Sequence, residues 1–94
     1  MENKLYVFIL KSLTSSQKAV QAGHAVSIIA AKNPHVDWTK QTFVYLEASN
    51  NQLNKLRLFK DKNSSYFIEP DFDNKLTAFA CFGKEDEFKN YRLI

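Results

Sequence analysis

A chain of 94 residues that is 45% hydrophobic, with eight Phe, four Tyr and one Trp, can build one globular core but has no length for a second, so residues 1–94 read as a single domain. Its formal charge of +3 is compatible with an anionic partner but falls well short of a dedicated nucleic-acid arm. The lone Cys81 excludes an internal disulfide and a thiolate metal site, and no apolar run reaches the roughly 18 residues of a membrane span. The start of the chain carries no signal h-region, so a cytoplasmic protein is expected, with Cys81 as a small core residue.

Leu5-Tyr6-Val7-Phe8-Ile9-Leu10 is a continuous apolar run, which predicts a central strand covered on both faces. Thr14 with Gln17 three residues later forms a capping box that opens a helix from about Ser15 to Lys32, and Asn33-Pro34 ends it. A connection with a short helical turn around Trp38 leads to a second strand, Thr42 to Glu47, rich in β-formers. Leu53, Leu56 and Phe59 or Lys60 are at helical spacing behind a Ser49 or Asn50 cap, which predicts a second helix with Lys55, Arg57 and Lys60 outside. Tyr66 to Glu69 is a short third strand. A turn over Asp71 to Lys75 leads into a fourth, Leu76 to Phe82, that is apolar enough to be central. The order β-α-β-α-β-β predicts an α/β fold. Its sheet would be mixed and four-stranded, with helices on its faces, largely parallel pairing and a hairpin at the end. The tail from Lys84 to Ile94 is expected to form a short helix with a docked end, or part of an interface.

The first helix carries the chemistry. Gln17, Gln21 and His24 are spaced four and three residues apart and stack on one side. Ala19, Ala22, Val26 and Ile29 form the apolar stripe that would lie on the sheet, leaving the polar stripe at the edge of that contact. His24 is the one plausible general base on this helix, since imidazole changes charge between about pH 5 and 8. Gly23 beside it costs about 1 kcal/mol relative to alanine within a helix, which predicts the close approach of a strand or a ligand. Glu69-Pro70-Asp71-Phe72-Asp73-Asn74-Lys75 places three carboxylates in a loop between strands, where one could orient the imidazole or a water. The two glycines, Gly23 and Gly83, cannot build a phosphate-cradling loop. No serine sits in a nucleophile elbow, and His24 and His35 lack the partners of a metal site. An activated-water mechanism, or no catalysis, remains.

The strand Leu5 to Leu10, the loop with Lys11 and the helix text Gln17-Lys18-Ala19-Val20-Gln21-Ala22-Gly23-His24-Ala25 resemble the amino-terminal half of type 2 peptidyl-tRNA hydrolases. Their signature there is lysine, a small apolar pair, then Gln-x-x-His-Ala. Gln21 and His24-Ala25 match directly. Where that family has Gly-Lys this chain has Ser16-Gln17, with Lys18 one place later and turned by about 100° around the helix. The family's Asp-Ala-Gly-Arg-Thr-Gln segment finds its nearest counterparts in Asp71 and Thr77, with Glu69 or Asp73 as alternatives to Asp71 and no arginine.

The resemblance implies hydrolysis of the ester joining a peptide to tRNA, without metal or organic cofactor. His24 would position or deprotonate water and Asp71 would hold that water or the imidazole. Lys11 or Lys18 would attract tRNA phosphates or stabilise the ester oxygen, and Gln17, Gln21 and Thr77 would supply hydrogen bonds. Lys32, Lys40, Lys55, Arg57, Lys60 and Lys62 would extend a phosphate-contacting surface. The departures from the signature support an alternative, an inactive RNA- or protein-binding module on the same fold. A third expectation is a homodimer joined through exposed Trp38, Phe72 and Tyr91.

Overall fold

The apolar run near the start of the chain is apolar on both alternations because both of its faces are covered. In the computed structural model, which describes residues 4–58 and 63–94, strand β1 (Lys4–Leu10) turns Leu5, Val7 and Ile9 into one core cluster and Tyr6, Phe8 and Leu10 into another. All six are buried, and each fully buried large side chain contributes about 1.5–3 kcal/mol. Helix α1 (Ser15–Lys32) covers the first face. Its capping box is formed as predicted: Thr14 Oγ1 accepts the Gln17 N–H at 3.2 Å while Gln17 Oε1 accepts the Thr14 N–H at 3.0 Å. Asn33 closes the helix, its amide donating to the Ile29 carbonyl at 2.9 Å.

Strand β2 (Phe43–Ala48) runs parallel to β1. Helix α2 (Asn50–Leu58) follows a reciprocal Ser49–Gln52 cap and seats Leu53 on the second face. Phe59, Lys60 and Lys62, to which the predicted helix and basic surface extended, lie outside the described residues. Strands β3 (Ser65–Glu69) and β4 (Lys75–Gly83) form an antiparallel pair joined through a 3-10 turn at Pro70–Phe72. Asp73 and Asn74 follow in the left-handed region at φ 55° and 59°, where Asp and Asn pay least among non-glycine residues.

Two expectations about the sheet are corrected. Among the described residues it has five strands, in the order β3-β4-β1-β2-β5, because Arg92–Leu93 docks as β5 on the open side of β2. Two residues are too few to show a strand period. The pairing is also mostly antiparallel: β1–β2 is the parallel pair, while β1–β4, β3–β4 and β2–β5 are antiparallel. The crossover through α2 carries the chain to the far edge, and β4 then returns between β3 and β1, so β1 and β4 are central as predicted.

The aromatic residues expected at an interface are half-buried instead. Trp38 packs on Phe43 and Phe82, and its indole N–H donates to the Asn33 carbonyl at 3.0 Å. Tyr91 packs on Phe8 and Phe88, and Phe72 is also half-covered. Burial pushes the Tyr91 hydroxyl above its ordinary value, with a smaller push from Cys81. Cys81 is itself half-buried, packed against the second core cluster and not fully inside it.

Candidate functional site

Gln21 and His24 lie one helical turn apart on the side of α1 that faces the edge strand β3. Strand alternation turns Phe67 and Glu69 towards α1 while Tyr66 and Ile68 join the opposite core cluster. The Phe67 ring stacks on the His24 imidazole, with centroids 4.1 Å apart and planes 12° from parallel. One face of the imidazole is thus held flat, and the side chain is otherwise exposed to solvent.

Gln21 is not at the edge of the helix–sheet contact but beneath it, at 2% exposure, and the buried positions of α1 are Gln21, Ala22, Ala25 and Ile29. Ala19 is exposed and Val26 half-buried, so the helix is turned relative to the predicted stripe. The amide tolerates burial because both ends are satisfied. Its Nε2 donates to Glu69 Oε1 at 2.9 Å, and its Oε1 accepts from the Thr77 hydroxyl at 2.6 Å. Thr77 reaches it through a break in register: Phe67 pairs with Ala78 but Ile68 pairs with Leu76, which leaves Thr77 as the extra residue of a β-bulge. In an unbroken strand Thr77 would point to the face opposite Ala78. The bulge turns both towards α1.

Of the three loop carboxylates, Glu69 is the one that meets the helix. Asp71 and Asp73 are exposed, and Asp71 touches the cluster through its backbone N–H, which donates to Glu69 Oε2 at 3.3 Å. The Gln21 N–H holds the Glu69 carboxyl below its ordinary value. Partial burial opposes this, and the Asp71 N–H and the charge of His24 assist. Glu69 is therefore an anchored anion beside an exposed imidazole. Thr77 is fully buried and acts on this arrangement through Gln21.

The other predicted site residues are placed elsewhere. Lys18 is in phase with Ala22, Ala25 and Ile29 and lies one turn before Ala22, towards the start of α1. There its ammonium pairs with Glu47 at 3.1 Å, the two side chains being 17% and 25% exposed. Glu47 was missed from sequence; its signal is a lone acid near the end of an otherwise apolar strand. Gln17 is committed to the helix cap, and Lys11 is exposed with its backbone N–H on the Ala48 carbonyl. Lys32 donates to the Ser64 carbonyl at 2.7 Å, Arg57 lies 4.4 Å over the Tyr66 ring, and Lys40 and Lys55 are exposed.

Of the two neighbours expected at Gly23, the strand is ruled out. A Cβ built there meets nothing within 4 Å and its φ is not positive, so neither a close strand nor backbone strain accounts for it. It borders an open groove of about 450 Å³ between α1 and the β2 side of the sheet. The groove exists because α1 packs chiefly on β4, β3 and β1.

Among the described residues, no group of three or more His, Cys, Asp or Glu side chains could hold a metal ion, and no helix is long and apolar enough to cross a membrane. No family model and no curated protein matches the chain. A solved structure of a protein of unknown function, Atu0240 from Agrobacterium tumefaciens strain C58, is similar over 100% of this chain and 98% of that one, with a TM-score of 0.76 and 16% identity. At that identity the likeness establishes the fold.

Proposed function

We propose that the protein is a cytoplasmic peptidyl-tRNA hydrolase-like enzyme that cleaves the ester between a peptide and tRNA with a water activated at His24. The observation that carries this reading is the exposed His24 imidazole, stacked flat on Phe67 beside the anchored Glu69 carboxylate. His24 takes a proton from water as the water oxygen attacks the ester carbonyl carbon. The imidazolium returns that proton to the ribose oxygen as the ester bond breaks, leaving tRNA and a peptide acid that loses its remaining proton to solvent. Glu69 fills the role the resemblance implied for Asp71, and Gln21 and Thr77 position Glu69. Lys11 and the exposed Lys40 and Lys55 supply attraction for phosphates.

A second reading, binding of RNA or a protein without hydrolysis, is favoured by one observation. Gln17 is taken up by the helix cap and Lys18 by Glu47, so the side chains at the departures from the signature already have partners within the chain. Incubating the purified protein with peptidyl-tRNA in the absence of added metal, and following both free tRNA and retained complex, separates the two. Turnover supports the hydrolase; salt-sensitive binding with no release of tRNA overturns it in favour of the binding module.

A further inference from the structure

His24 lacks the hydrogen-bonded orienting partner that a histidine base ordinarily has. The carboxylate beside it is engaged elsewhere: Glu69 Oε1 accepts from Gln21 at 2.9 Å and Oε2 from the Asp71 backbone at 3.3 Å. Among the described residues neither imidazole nitrogen has a hydrogen-bond or ion-pair partner, so Glu69 acts on the ring through its charge. What holds the ring is Phe67, with centroids 4.1 Å apart and planes 12° from parallel. Phe67 is half-buried on β3 and paired with Ala78 of the central strand β4 just before the bulge, so the platform under His24 is itself anchored.

We infer that Phe67 is the positioning residue of the His24 base, setting the plane of the imidazole and with it the plane in which a ring nitrogen meets water. The lone pair of that nitrogen lies in the ring plane, so a neighbour stacked on one face leaves both nitrogens open while opposing the rotations that would swing the plane away. A carboxylate hydrogen bond would do the reverse, fixing the ring by occupying one nitrogen and selecting one tautomer. The stack therefore orients His24 without selecting a tautomer. Its hold depends on two flat rings, and an aliphatic side chain fills the space without defining a plane. The catalytic consequence rests on the reaction proposed above; the restraint on the ring does not.

The test compares Phe67→Leu and Phe67→Tyr with the parent, each as the whole isotopically labelled chain. NMR shifts of the His24 ring protons report the stack, with the exposed His35 as internal reference. Ring-nitrogen shifts of the neutral imidazole report its tautomers, and the side-chain amide signal of Gln21 reports the bond to Glu69. In the parent, His24 ring protons displaced upfield of those of His35 and a mixture of both tautomers are expected. Phe67→Leu should lose the displacement with the Gln21 signal kept, and its single-turnover release of tRNA should fall about 10-fold at an unchanged half-saturating concentration. Phe67→Tyr should restore both. A merely structural Phe67 would alter stability and leave the rate of the folded variant alone. A parent-like rate in folded Phe67→Leu, equal losses in the two variants, or a single His24 tautomer in the parent would overturn the assignment. The spectra need no turnover, so the two readings fail in different ways. A parent that shows the stack but releases no tRNA removes the hydrolase reading and the catalytic role of Phe67 with it, whereas turnover indifferent to Phe67→Leu removes the role of Phe67 alone.

Discussion

Gln21 and Glu69, 48 positions apart in the chain, are joined by a 2.9 Å hydrogen bond that fixes helix α1 to the end of strand β3. The direction of that bond is set from behind, because the Thr77 hydroxyl at 2.6 Å holds the Gln21 oxygen and leaves its NH₂ turned to the carboxylate. Replacing Thr77 by Val keeps the shape but leaves a buried amide oxygen without its donor, for an expected loss of about 1–3 kcal/mol. Thr77→Ser should recover most of it. Urea midpoints of the two variants, at constant m-value, check this, and equal stability of Thr77→Val and the parent would mean the contact is energetically idle.

Glu69 gives the fold a pH dependence of known sign. Its folded carboxyl binds a proton less tightly than the unfolded chain's ordinary value of 4.5, so its contribution is complete above that value and is lost as pH falls through the lower folded one. The stability gap between the parent and Glu69→Gln should therefore close on going from about pH 7 to about pH 3. Denaturation curves at several pH values measure it; a gap that stays constant contradicts the contact.

The two glycines should respond in opposite ways to alanine. At Gly23 a methyl group meets open space on a helix, so Gly23→Ala is expected to stabilise by about 0.5–1 kcal/mol. At Gly83 the added carbon would lie 2.7 Å from Cε2 of Phe88, a ring wedged against Tyr6, Phe8 and Tyr91 that cannot easily give way, so a loss of about 1–3 kcal/mol is expected. Thermal melts of both variants decide the matter.

Much of the fold was readable because it depends on local patterns. The run from Leu5 to Leu10, the Thr14–Gln17 box and the Asn33-Pro34 stop placed β1 and α1 closely. β5 was not readable, since a two-residue strand exists only through its pairing with Leu46 and Glu47. The helical spacing of Gln21 and His24 put both on one flank of α1, and that flank faces β3. Choosing Glu69 over Asp71 needed the phase of β3 relative to α1, and reading Thr77 as a buried support needed the bulge at Phe67 and Ile68, a register event that no periodicity signals. The rotation of α1 followed from the burial of Gln21, whose partners are distant in sequence.

The roles given to the carboxylates separate under mutation. Glu69→Gln should lower single-turnover hydrolysis of peptidyl-tRNA by about 10-fold or more with little change in binding, while Asp71→Asn, which keeps the backbone N–H, should stay close to the parent. The reverse ranking would return the role to Asp71.

The central claim is that His24 activates water. Its most direct test is release of free tRNA from peptidyl-tRNA by His24→Ala beside the parent, under single-turnover conditions, without added metal, and with the fold of both verified by circular dichroism. The expected result is turnover by the parent and a loss of about 10²–10⁴-fold in the variant with tRNA binding retained. Equal turnover by a folded His24→Ala, or none by the parent, would contradict the account.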